Sequence, residues 1–278
     1  MSTTTNQPDT VTAADPAARR RDTPPSTTER RVGPAAVAVD LGSGQTRLWV
    51  VGDGIRVAPS VGEAPSRPTP LVRRGRIVDA AGCVSLLTRL LGTSSQPLPA
   101  GPVVVACRPV LATVADQDAI RRVMTTVFAP CRLLLIDTVR AAAIGSGAAA
   151  GVLLVADVGA QLTEVAVLVD GRVVAARQAE MGTHDPTGGS GPRLLAGVVT
   201  RLIADIGAHP RLQRLTAPAL ARGLVIAGDG ATLPELTGRL AANLRVPVRP
   251  VASARMAALS GAGLAAMAAC RHPAAAAA

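Results

Sequence analysis

From Ala35 onward the chain alternates short apolar runs with polar punctuation, and two of these stretches are versions of one another. The first reads AVAVDLGSGQTRLWVVGDG and the second VLLVADVGAQLTEVAVLVDG. In each, an apolar strand ends on an aspartate (Asp40, Asp157), with a glycine two residues later (Gly42, Gly159). A second apolar strand then runs into an Asp-Gly pair, Asp53-Gly54 or Asp170-Gly171, thirteen residues after the first aspartate in both copies, which is a hairpin signal. The repetition predicts two lobes that open with the same hairpin.

Strand and helix patterns alternate after each hairpin: VVVAC from Val103 and a helix from Thr113, LLLID from Leu133 and a helix near Arg140, LVIAG from Leu224 and a helix near Leu233. Such alternation implies parallel crossovers, so the fold class is α/β, each lobe a mixed sheet with flanking helices and the hairpin as its antiparallel edge. Pro192–Gly207 and Ala254–Ala269 carry apolar residues at helical spacing. Residues 1–34 are Thr, Pro, Ala and charge, too polar to bury a core, and are expected to be a disordered tail in which Arg19–Arg21 is solvated. Residues 271–278 are expected to be a flexible end.

Composition narrows the chemistry. The 278 residues are 48% hydrophobic, but Trp49 and Phe128 are the only aromatics, so the cores must be built from Ala, Val, Leu and Ile. All 29 positive charges are Arg; the absence of Lys excludes a P-loop lysine, a Schiff base and a lysine general base. A net charge of +10 without an aromatic stacking platform gives no expectation of a specific nucleic-acid role. Cys83, Cys107, Cys131 and Cys270 lack metal-ligand spacing and fit a reducing cytoplasm. No signal peptide is visible, and the longest uncharged stretch, Ala141–Ala156, is broken by three glycines, so a soluble protein is expected.

A strand ending in Asp, followed by a tight glycine turn into another strand, gathers backbone N–H groups around one point beside a carboxylate. That is an anion nest with a metal partner, the carboxylate holding Mg2+ through water. Two such turns on facing lobes would grip a nucleoside triphosphate.

DLGSGQT resembles the first phosphate motif of bacterial actins of the MreB class, VLLVADVGAQLTEVAVLVDGRVV their second, and LVIAGDGATLPEL with NLRVPV their adenosine motif. VVVACRPVLATVADQDAI resembles the segment carrying the family's catalytic glutamate, and LLLIDTVRAAAIGSG and ARMAALSGAG the two connecting helices. The resemblance implies two actin-like, ribonuclease H-like lobes from an internal duplication: lobe I (subdomain IA) over 35–147 and lobe II (subdomain IIA) over 148–270. It further implies cytoplasmic, membrane-associated filaments that hydrolyse ATP, and a role in cell shape and cell-wall assembly with other actin-like or morphogenesis proteins as partners. By motif position Asp40, Gly42, Ser43, Gly44, Gln45 and Thr46 would meet phosphate, with Asp157, Gly159 and Gln161 facing them and Gly228 and Gly230 beside the nucleoside. Asp40 and Asp157 would hold Mg2+ through water, and Asp157 and Asp116 would be the catalytic carboxylates, although Asp116 also completes a capping box with Thr113.

The match breaks in places that matter. Where the family's second loop reads much like DIGGGTTE, this chain has DVGAQLTE: Ala160 and Gln161 place side chains where phosphate needs bare backbone, and Leu162 replaces a hydroxyl. Asp229 stands inside a usually all-glycine triplet. Only a short stretch near Gly62–Ser66, and GTHDPTGGSG after Met181, stand where the family inserts its upper subdomains, so both are expected to be absent. His184 and Asp185 are expected to form a bridging turn. The apolar loop that would contact membrane is GTSSQPLPAG, which offers only Leu98, and Arg67, Arg73, Arg74 and Arg76 are expected to be a solvated basic face with slight affinity for anionic lipid. The function expected is a scaffold whose nucleotide cleft binds ATP weakly or not at all. The alternative is an active phosphotransferase or ATPase of the sugar-kinase and heat-shock-chaperone superfamily, which would need an intact second loop.

Overall fold

The computed structural model of the protein describes residues 35–62, 69–94, 96–148, 150–185 and 191–271. The tail over 1–34, Arg67, Ser66, residues 186–190 and residues 272–278 lie outside them.

Each sequence repeat builds one five-stranded sheet, and the two sheets share one strand order. The first contains β1 (Ala36–Leu41), β2 (Gln45–Val50), β3 (Gly54–Pro59), β6 (Val103–Arg108) and β7 (Arg132–Asp137) in the order β3-β2-β1-β6-β7. The second contains β8 (Val152–Val158), β9 (Thr163–Val169), β10 (Arg172–Ala179), β11 (Leu224–Ala227) and β12 (Val248–Pro250) in the order β10-β9-β8-β11-β12. The hairpin strands pair antiparallel and the later strands add in parallel, as the crossovers require. The central strands are apolar on both faces because helices cover both: Ala36 to Val39 are all buried.

One hairpin departs from its sequence signal. Asp170-Gly171 is a two-residue turn with both residues at positive φ, pairing Val169 with Arg172. In the first copy Val50 pairs with Gly54, so the turn is Val51-Gly52-Asp53, with the positive φ carried by Gly52 and Gly54. A small extra hairpin, β4 (Val72–Arg73) and β5 (Arg76–Ile77), lies in the connection after β3.

Helices α1 (Ala80–Gly92) and α2 (Val114–Phe128) cover the outer face of the first sheet, burying Leu86, Leu87, Val123 and Met124. Helices α4 (Gly191–Gly207), α5 (Pro210–Arg222) and α6 (Pro234–Leu244) cover the outer face of the second. Helix α3 (Thr138–Gly145) packs on β8 and β9, and the C-terminal α7 (Ala257–Cys270) returns to pack on β1 and β6. Helices α3 and α7 meet at backbone distance: a Cβ at Gly261 would lie 1.8 Å from the Ala141 carbonyl oxygen, and one at Gly145 2.1 Å from that of Ala257. This Ala- and Gly-lined seam joins the inner faces of the two sheets, and small side chains are what let it close. Cys83 and Cys107 are buried, Cys270 is partly buried and Cys131 is exposed. Leu98 is tucked against the first core instead of standing out as a membrane contact.

Candidate nucleotide cleft

The two Asp-x-Gly turns face each other at the ends of β1 and β8, and their local geometry repeats. Gly42 N donates to the Gln45 carbonyl at 3.1 Å, and Gly159 N to that of Leu162 at 2.9 Å. The position opposite each aspartate in the hairpin is also repeated, Asp40 pairing with Arg47 and Asp157 with Glu164. Cross-strand partners point to the same face, so each hairpin adds one more charged group to the cleft floor. The sequence reading missed both residues. Their signal was the charge at an otherwise apolar strand position, seven residues after the aspartate in each copy.

Of the expected site residues, Asp40, Gly42, Ser43, Gly44, Gln45, Asp157, Gly159, Gln161 and Gly228 line one cavity of about 80 Å³. The other three do not. Thr46 is buried against Ser60, its hydroxyl 2.8 Å from that of Ser60. Gly230 is buried beside Val158, which a Cβ there would meet at 2.5 Å. Asp116 is half-buried at the start of α2, where it accepts from Thr113 N at 3.0 Å and the Thr113 hydroxyl at 2.6 Å. Its carboxylate therefore completes the capping box and does not reach the cleft.

Arg47 dominates the floor. Its guanidinium is 3.0 Å from Asp40 Oδ2 and 3.9 Å from Asp229 Oδ1, and donates to Gln45 Oε1 at 3.1 Å. Asp229 in turn meets Arg255 at 3.1 Å. On the other side Glu164 accepts from Val110 N at 2.5 Å, linking the second sheet to the loop after β6. Burial, then the charges of Asp40 and Asp229, push the Asp157 carboxyl up to about 7 despite the nearby Arg47. Burial, then Asp157, push Glu164 up to about 8. Gly228 lies against Asp157: a Cβ there would fall 2.3 Å from Asp157 Oδ1, so the close approach that this glycine allows is to a carboxylate of the protein itself.

These residues do not fit a magnesium nucleotide in this conformation. Asp40 already has a cation in Arg47, and Asp229 is met by both Arg47 and Arg255, so guanidinium groups of the chain already balance these acids. The two turns touch: a Cβ at Gly44 would stand 2.9 Å from Ala160 Cβ. Ser43 Oγ and Gln161 Oε1 accept from the backbone of Gly75 and Arg74. A drug-sized ligand pocket is roughly 300–1,000 Å³, several times the space here.

A family model described as "MreB/Mbl protein" matches residues 63–185. No curated protein matches the chain. Among solved structures, MreB5 of Spiroplasma citri bound to ADP superposes with a TM-score of 0.71 at 15% identity, covering 86% of this chain and 98% of that one. The same protein bound to AMPPNP gives 0.70 at 14%, covering 83% and 95%. The ethanolamine utilization protein EutJ from Carboxydothermus hydrogenoformans gives 0.56 at 21%, covering 83% and 89%.

Proposed function

Taking as premise that the chain is an MreB-like protein of the actin fold, we propose that it is a scaffolding member of a cell-shape or wall-assembly system whose cleft is a fixed joint between lobes and not a working nucleotide site. The observation that carries this is Arg47: a guanidinium built into the chain balances Asp40 and Asp229, the work that a bound cation would otherwise do. MreB5 binds AMPPNP and ADP on the same fold. In this chain the second turn adds Ala160, Gln161 and Leu162 side chains around the cleft, removing bare backbone that transition-state stabilisation in phosphoryl transfer depends on. The division into lobe I over 35–147 and lobe II over 148–270 belongs to the same reading, with partners drawn from other actin-like or wall-assembly proteins. Among the described residues no helix is long and apolar enough to cross a membrane.

Calorimetric titration of the full chain with ATP and Mg2+ tests the proposal. No saturable heat is expected, and no phosphate release above background. Robust magnesium-dependent turnover that Asp157→Ala abolishes would overturn it and favour the ATPase alternative.

A further inference from the structure

The β4–β5 hairpin belongs to the first lobe at its base and to the second at its tip. Leu71 and Val72 are buried in the first core; Leu71 N donates to the Ser60 carbonyl at 3.0 Å, and its own carbonyl accepts from Val78 N at 2.9 Å. The two strands pair through only Val72 with Ile77 and Arg73 with Arg76. An isolated hairpin is marginal in water even when longer than this. The turn residues Arg74 and Gly75 sit at φ 50° and 76°, a conformation that suits Asn-Gly or Gly-Gly far better than arginine. Such a turn persists only where its surroundings impose it.

Those surroundings are the cleft and the second lobe. Gly75 N donates to Ser43 Oγ at 3.0 Å and Arg74 N to Gln161 Oε1 at 3.2 Å, so the tip engages one polar side chain from each facing loop. A Cβ at Gly75 would lie 2.7 Å from Pro109 and 2.9 Å from Leu162, which shows how tightly the tip is seated. Beyond the cleft, the Arg74 guanidinium donates to the Glu180 carbonyl and lies 3.6 Å from the Glu180 carboxylate and 3.7 Å from Asp185; Arg76 lies 3.7 Å from Glu180. Arg74 and Arg76 thus bridge between lobes, where the sequence predicted a solvated basic face.

We infer that the Arg74–Gly75 turn is an internal occupant of the phosphate end of the cleft, a strap by which the first lobe holds the second closed. The inference deepens the nucleotide-free reading and rests on it. The tip's two backbone N–H groups bond the Ser43 and Gln161 side chains, and Arg74 and Arg76 carry the positive charge of the contact to Glu180 and Asp185. The ion pairs are partly exposed, so salt weakens them and the strap is releasable without unfolding either sheet.

Hydrogen exchange of the full chain, read at peptides covering 70–79, 42–46 and 159–164, tests the strap. In the Arg74→Ala/Arg76→Ala variant, and separately in Glu180→Gln/Asp185→Asn on the opposite lobe, exchange at all three peptides is expected to accelerate by about tenfold or more, since local opening sets protection. The strands of both sheets should keep their wild-type rates. Arg74→Glu should behave like the first variant, and adding Glu180→Arg should restore protection. Equal exchange of the 70–79 peptide in the wild type and all variants overturns the strap and leaves the nucleotide-free reading standing on Arg47 alone. Binding of ATP with Mg2+ by the wild type, accompanied by deprotection of the 70–79 peptide, overturns the nucleotide-free reading instead and upholds the strap, because ligand and turn then compete for one place.

Discussion

Arg47 and Glu164 occupy the same place in the two repeats but are a cation and a carboxyl group, so their effects on the cleft can be separated. Replacing Arg47 by Leu leaves Asp40 without its cation, while Asp229 keeps Arg255 at 3.1 Å. Removing one partner of a buried pair typically costs about 3–5 kcal/mol, and urea unfolding of Arg47→Leu at pH 8 should show a loss of that order, reduced when Asp40→Asn is added. Glu164 predicts a pH effect whose sign follows from its raised pKa. Burial and the neighbouring Asp157, Asp137 and Asp40 oppose its ionisation, and only the Val110 N–H favours it. The native state therefore keeps a proton that the unfolded chain releases near pH 4.5, so this group makes stability fall as pH rises from about 4.5 to about 8 and adds no further slope above that. Glu164→Gln retains an acceptor for Val110 N, so its melting temperature should exceed the wild type's at pH 9 and converge with it at acid pH.

Among the elements, α7 is the one on which both sheets depend. Its Ala257, Ala258, Leu259, Gly261, Ala262, Ala266 and Ala269 are buried, and only the stripe of Ser260, Leu264 and Ala268 faces outward. Gly261 has no space for a methyl group because the α3 backbone lies against it. Gly261→Ala should lower stability by about 1–3 kcal/mol through overpacking, measured by denaturant unfolding, even though alanine is the better helix former. Gly238, in α6, has nothing within 4 Å of its Cβ position, so Gly238→Ala should be neutral or slightly stabilising and serves as the control. Helix α5 shows where local signals mislead: it runs through Pro218, an internal proline that argues against a helix, while the apolar series Leu212, Leu215 and Ala219 still packs on the second core.

Across the whole molecule, the lobes meet through the α3–α7 seam, the charged cleft floor and the β4–β5 tip. A ligand changes a conformational equilibrium only through its differential affinity for the two states, so under the proposed nucleotide-free reading ATP is not coupled to assembly. The sedimentation profile of the purified chain should be the same with and without ATP and Mg2+. Its melting temperature should also be unmoved by ATP, since only ligands that bind the native state raise it. ATP-dependent pelleting would contradict the fixed joint at the scale of the entire protein.

The sequence by itself determined the duplicated sheets. Alternating apolar runs and the repeated Asp-x-Gly turn are local signals, and local signals survive without knowledge of the fold; the two turns they mark, with Asp40 and Gly42 in one and Asp157 and Gly159 in the other, line one cavity. Other features were decided only by tertiary structure. Asp116 read equally as catalytic group or helix cap, and only its distance from the cleft separates the two. Arg47 meets Asp40 within its own hairpin, but its pairing with Asp229 joins residues of different repeats. Arg74 and Arg76 read as a basic surface because Glu180 and Asp185 lie more than a hundred residues further along the chain. Periodicity records which residues are buried, whereas the state of a cleft depends on which charges and turns meet across it, and those meetings are long-range contacts that no short window of sequence contains.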